Sequence, residues 1–159
     1  MIAMKARLTP AKFAPGAYKA LSQVQQYVDN CGLEQSLIEL VKLRASQING
    51  CAWCIDMHTK DARAAGETEQ RLYLLSAWRE APFYSARERA ALAWTEAVTK
   101  VCNGEVSDAV FDAARAEFSE AELVNLNVAV IAINSWNRMN VAFQVPAGDY
   151  KPATHKAAK

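Results

Sequence analysis

The chain has 159 residues, 52% of them apolar, with six glycines, five prolines and a formal net charge of +1. That length fits one folding unit and the apolar share supplies a real core, which excludes a disordered or loop-dominated chain. Lysines and arginines are scattered at near-zero net charge, so nothing points to nucleic acid, and no apolar stretch is long enough to cross a bilayer.

The N-terminal segment MIAMKARLTPAKF lacks an apolar run followed by a small-residue cleavage site. Export is therefore not expected, and the cytoplasm is the default location. Pro15 and Gly32 bracket a first helix with the stripe Tyr18, Leu21, Val24, Gln25 and Val28. A second runs from about Glu34 to Ile48. Asn49-Gly50 has helical patterns on both sides, so it reads as a break between helices rather than a hairpin turn. A third helix starts near Cys51 and ends at Gly66, and a fourth covers Thr68 to Trp78. After Pro82, the capping box Ser85-x-x-Glu88 opens a fifth that reaches about Val101 and stops at Asn103-Gly104. Ser107 caps a short sixth. A second capping box, Ser119-x-x-Glu122, opens a long last helix from about Ala121 to Phe143. This helix is apolar around much of its circumference, and a subunit interface is one way to bury it. From Pro146 the chain turns polar (PAGDYKPATHKAAK) and reads as loosely ordered. No strand pattern occurs. The expectation is an all-α domain of six or seven helices over residues 1–150, followed by a flexible polar tail at 151–159.

The residues that carry chemistry are Glu39, Cys51, Cys54 and His58, in the spacing E-x11-C-x2-C-x3-H. On one helix, Cys51 and Cys54 are i, i+3 and Cys54 and His58 are i, i+4, so all three share a face. A thiol in the first turn of a helix meets unpaired N–H groups and the positive end of the helix dipole, which favour a thiolate. His58 supplies a base within one turn. A carboxylate on the far imidazole nitrogen fixes the tautomer, and Glu39 on the preceding helix is the candidate, with Glu34 as a nearby competitor. Such a set suits attack of a thiolate on a hydroperoxide, followed by condensation of the sulfenic acid with the second thiol. Helix-end electrostatics favour Cys51 as the attacking sulfur. Proximity to His58 favours Cys54, and the reading leans to Cys54, with Cys51 as the resolving and more accessible thiol.

The segment ELVKLRASQINGCAWCIDMHTKDAR, residues 39–63, resembles the signature of the alkylhydroperoxidase AhpD family, within the carboxymuconolactone decarboxylase-like superfamily. The resemblance extends from about Leu8 to Tyr150, and AINSWNRMNVAF (132–143) is similar to the last helix of small single-domain members. It implies an all-α fold built on helical hairpins and a homo-oligomer, trimer or hexamer. It also implies thiol-dependent peroxidase or disulfide reductase activity that uses Glu39, Cys51, Cys54 and His58. Trp53 stands where some members carry a histidine before the second cysteine. The decarboxylase branch lacks the cysteine pair, which argues against lactone decarboxylation here.

Two duller readings compete. The cysteines could be small core residues, or Cys51, Cys54, His58 and Glu39 could bind zinc. Structural zinc sites usually bring a second ligand pair, and none follows. Cys31 and Cys102 have no motif around them and read as reduced and structural. Trp78, Trp94 and Trp136 read as core or interface, Asn134 and Arg138 as lining a subunit contact or pocket, and His155 as solvated. The expected partners are a hydroperoxide substrate and an external dithiol or protein reductant, with no cofactor, metal, nucleic acid or membrane. The alternative is a redox adaptor that exchanges disulfides with a partner protein.

Overall fold

The structure is a computed structural model and describes residues 4–152. It holds eight α-helices and no strand among the described residues: α1 (Pro10–Phe13), α2 (Pro15–Val28), α3 (Gln35–Asn49), α4 (Ala52–Ala64), α5 (Glu69–Leu74), α6 (Ala86–Thr99), α7 (Asp108–Glu117) and α8 (Glu120–Ala142). Single 3₁₀ turns follow α5 and α6. The all-α expectation holds. The extra helix is the one-turn α1, started by Pro10 at its first position, too short to leave a periodic stripe. The expected fourth helix is α5 continued by a 3₁₀ turn, Leu75–Ala77. Both capping boxes form as read: Ser85 and Glu88 close on α6, and Ser119 and Glu122 on α8. No helix among the described residues is long and apolar enough to cross a membrane.

α3 is the central helix and packs on α8, α4 and α6. Its residues on one side, among them Leu37, Ile38 and Val41, join Ala91, Leu126 and Val130 in the larger core. Leu40 and Leu43 face a second cluster with Leu72, Leu75, Trp78 and Leu92. Because α3 serves two cores, it is buried nearly all round, which puts polar residues of α3 inside the protein as well. They are paired there. Ser46, Asn49, Asn134 and Asn137 are linked by side-chain hydrogen bonds of 2.9–3.0 Å that lock α8 to the end of α3. Buried polar groups with partners cost little, whereas unpaired ones cost about 1–3 kcal/mol each.

The segment after α8 differs from the expectation. Residues 146–150 lie across α4: Gly148 N–H donates to Asp56 at 3.2 Å, Lys60 donates to the Gly148 and Tyr150 carbonyls, and Tyr150 O–H donates to Asp61 at 2.8 Å. Composition suggested solvation, but α4 presents a charged ridge that this polar stretch matches. Of the expected tail, residues 153–159 with His155 lie outside the described residues.

Candidate active site

The site is built on the turn between α3 and α4. Gly50 has φ +65°, the left-handed conformation that ends helices. Its N–H donates to Gln47, and the Cys51 N–H reaches back to the Ser46 carbonyl at 3.0 Å, the paired bonds of a Schellman stop. Cys51 is also the N-cap of α4, with extended backbone (φ −83°, ψ 93°), and its sulfur accepts from the Cys54 N–H at 3.4 Å. One residue thus closes one helix and opens the next, which fixes the hairpin. The expected helix starting at Cys51 therefore starts one residue later.

The Cys51 and Cys54 sulfurs lie at disulfide distance, with Cα atoms 5.4 Å apart. Neither is accessible: Cys51 exposes 1% of its surface and Cys54 none. The expectation that Cys51 is the more accessible thiol is not met, because the Schellman bond folds it back against the last turn of α3. Cys31 and Cys102 are free thiols.

His58 follows one turn after Cys54 and is buried. Its Nδ1 lies 2.8 Å from Glu39 Oε2. A carboxylate only accepts, so Nδ1 carries the proton. In the neutral ring this leaves the lone pair on Nε2, which is buried and has no hydrogen-bond partner among the described residues. Glu39 comes from the middle of α3, across the hairpin, and its other oxygen accepts from Lys42 Nζ and from Gln35, each at 3.2 Å. Lys42 is itself buried and bridges to Asp29 at 3.1 Å. Burial pushes the Glu39 carboxyl up, but the hydrogen bond and charge of His58, and then the charge and bond of Lys42, outweigh it and hold the carboxyl below its ordinary value. Glu34, the competitor by position, faces elsewhere and pairs with Arg87 of α6 at 2.9 Å.

The four residues read from the sequence thus come together as two contacting pairs on one hairpin. As zinc ligands they are engaged otherwise, the sulfurs with each other and Glu39 with the imidazole. Glu39, His58 and Asp61 offer ligand atoms within 4.8 Å of one another, but the carboxylates already carry Lys42, Gln35 and Tyr150. Sequence reasoning missed three neighbours. Lys42 was within reach of it, one turn after Glu39 on the same helix. Tyr150, which packs edge-on to Trp53 with ring centroids 6.1 Å apart, had no local signal. Nor had Asn140, whose Nδ2 lies 3.3 Å from Cys54 Sγ. Asn134 and Arg138 line a hollow of about 250 Å³ with Val98, Val101 and Ile131, and neither Cys51 nor Cys54 is part of that lining.

A model of the carboxymuconolactone decarboxylase family matches residues 15–97, a span that contains all four site residues. The uncharacterized protein YdfG of Bacillus subtilis (strain 168) is 42% identical over 139 residues, 87% of this chain and 95% of that one. A solved structure from Agrobacterium tumefaciens, of a protein of unknown function provisionally described as the antioxidant defence protein AhpD, superposes with a TM-score of 0.89 at 46% identity. The match covers 92% of this chain and all of that one. The debrominase Bmp8 shares the fold, with a TM-score of 0.77 at 19% identity over 85% of this chain and 73% of its own.

Proposed function

Because the chain belongs to the carboxymuconolactone decarboxylase family and is AhpD-like within it, we propose that it is a thiol-dependent peroxidase that reduces alkyl hydroperoxides. The observation that carries this reading is the cysteine pair at disulfide distance on a helix whose next turn holds His58 bonded to Glu39.

In the reduced protein, His58 Nε2 takes the Cys54 proton while Glu39 holds the ring in the required tautomer. The Cys54 thiolate attacks the terminal oxygen of the hydroperoxide. An S–O bond forms, the O–O bond breaks, and the alkoxide leaves with the proton returned by His58, as an alcohol. The Cys51 thiol then attacks the sulfenic sulfur, the S–O bond breaks, and water departs, leaving the Cys51–Cys54 disulfide. Two electrons have passed from the two sulfurs to the peroxide. An external dithiol returns them by thiol–disulfide exchange, and a reducing compartment such as the cytoplasm suits that cycle. No step requires a cofactor. The burial of both sulfurs suits a small oxidant better than a bulky protein disulfide, which weighs against the adaptor reading.

The test is stopped-flow mixing of the reduced protein with cumene hydroperoxide. Fast oxidation that is lost in Cys54→Ser supports the peroxidase. Slow oxidation by peroxide with rapid exchange against a protein disulfide would replace it with the adaptor.

A further inference from the structure

Among the described residues, one side chain hydrogen-bonds to Cys54 Sγ, and it has no part in the peroxidase steps. Asn140 lies in the last turn of α8, and its Nδ2 is 3.3 Å from that sulfur. The placement is supported from one turn earlier. Asn137 is fully buried and donates to Ser46 Oγ at 3.0 Å while accepting from Asn49 at 2.9 Å. Those bonds fix the rotation of α8 against α3, and α8 also packs on α4. Asn140, three residues on, is therefore carried to the first turn of α4 by a register that is set independently of the cysteines.

We propose that Asn140 is a catalytic group of this site: its amide N–H stabilises the Cys54 thiolate and thereby selects Cys54, rather than Cys51, as the attacking sulfur. The inference rests on the peroxidase reading and adds the device that tells the two thiols apart. A thiolate only accepts hydrogen bonds, so the amide turns its NH₂ towards it. Cys54 is wholly buried, so water does not offer the same stabilisation. A hydrogen bond to an ionised acceptor in such a place is about twice as strong as one between neutral groups. The donor is also neutral. It holds the anion without an ion pair that would have to be broken as negative charge moves from the sulfur to the departing alkoxide, and it leaves the proton transfers to His58. Cys51 has a different donor, the Cys54 backbone N–H at 3.4 Å, which no side-chain substitution removes. The two sulfurs can therefore be perturbed separately.

The experiment titrates thiolate absorbance with pH in single-cysteine backgrounds. With Cys51→Ser, Asn140→Ala raises the Cys54 midpoint by about one pH unit. Asn140→Asp, which keeps the side chain's size but replaces the donor with a negative charge, raises it further. With Cys54→Ser, Asn140→Ala leaves the Cys51 midpoint unmoved, and Asn140→Asp raises it by charge alone, less than it raises Cys54. The pH profile of oxidation by cumene hydroperoxide shifts upward with the Cys54 midpoint. An unmoved Cys54 midpoint in Asn140→Ala, or equal movement of both cysteines in that variant, overturns the proposal. The two layers fail separately. If peroxide oxidises the wild type but Cys54 ignores Asn140, only the role of Asn140 falls. If Asn140 sets the Cys54 midpoint but peroxide oxidises neither sulfur, the peroxidase reading falls and the thiolate donor stands.

Discussion

Burial raises the pKa of a carboxyl group, yet Glu39 sits below its ordinary 4.5, since His58 and Lys42 together outweigh desolvation. Two consequences belong to this residue. Glu39→Gln keeps the shape but removes the charge that holds the imidazole proton on Nδ1. Peroxide consumption should fall by about 10²–10⁴-fold, the usual worth of a positioned acid–base group. The second concerns stability. A depressed carboxyl stabilises the fold above 4.5, and that contribution is lost as pH falls through the lowered value. Urea titrations of Glu39→Gln across the acid range should therefore show a flatter decline than wild type. Tyr150 has the opposite sign. Burial, and then the hydrogen bond to Asp61 and its charge, push the phenol up to about 12 from 10.0. Its contribution is full below 10.0 and disappears as pH rises towards about 12. Tyr150→Phe removes that alkaline loss, which the same urea titrations measure. A slope equal to wild type between those values would mean that Tyr150 does not hold the 146–150 segment to α4.

At the scale of elements, the α3–α4 hairpin turns on Gly50. A Cβ placed there meets nothing within 4 Å, so Gly50→Ala tests backbone conformation alone. The left-handed geometry should cost about 1–2 kcal/mol, read as a lower denaturation midpoint. Cys51 inherits any distortion, since it is the next residue and caps α4. The hairpin was legible in the sequence for physical reasons. The Asn49-Gly50 break, the i, i+3 spacing of Cys51 and Cys54, the i, i+4 spacing of Cys54 and His58 and both capping boxes are local signals, each set by a few consecutive residues. What was not legible is what depends on packing between distant helices. Asn140 looks like any polar residue of an apolar helix until the Asn137 network fixes its direction. Residues 146–150 read as solvated because their partners, Asp56, Lys60 and Asp61, lie some ninety positions earlier. The accessibility of Cys51 was misjudged because it followed from giving Cys54 the attacking role, whereas the Schellman bond to Ser46 folds Cys51 back against α3, where it is buried.

For the whole molecule, α8 closes the core with one side and leaves Val124, Ile131 and Val141 exposed on the other. Ile131 also borders the hollow formed with Val98 and Val101. An apolar helix face of this kind suits the homo-oligomer that the family resemblance implies, and we propose it as the subunit contact. Light scattering should give a mass that is a multiple of 17.5 kDa, and Ile131→Glu should lower it towards a single chain. A wild-type protein that is monomeric at micromolar concentration would contradict that assembly. In the proposed reaction, two buried sulfurs act together on an O–O bond. Intact-mass and peptide analysis of the fully reduced protein, quenched at intervals after one equivalent of cumene hydroperoxide, tests this most directly. The predicted result is a transient added oxygen on Cys54, replaced by the loss of two hydrogens and a Cys51–Cys54 linkage. A pair that stays reduced while oxygen accumulates on Cys31 or Cys102 would contradict it.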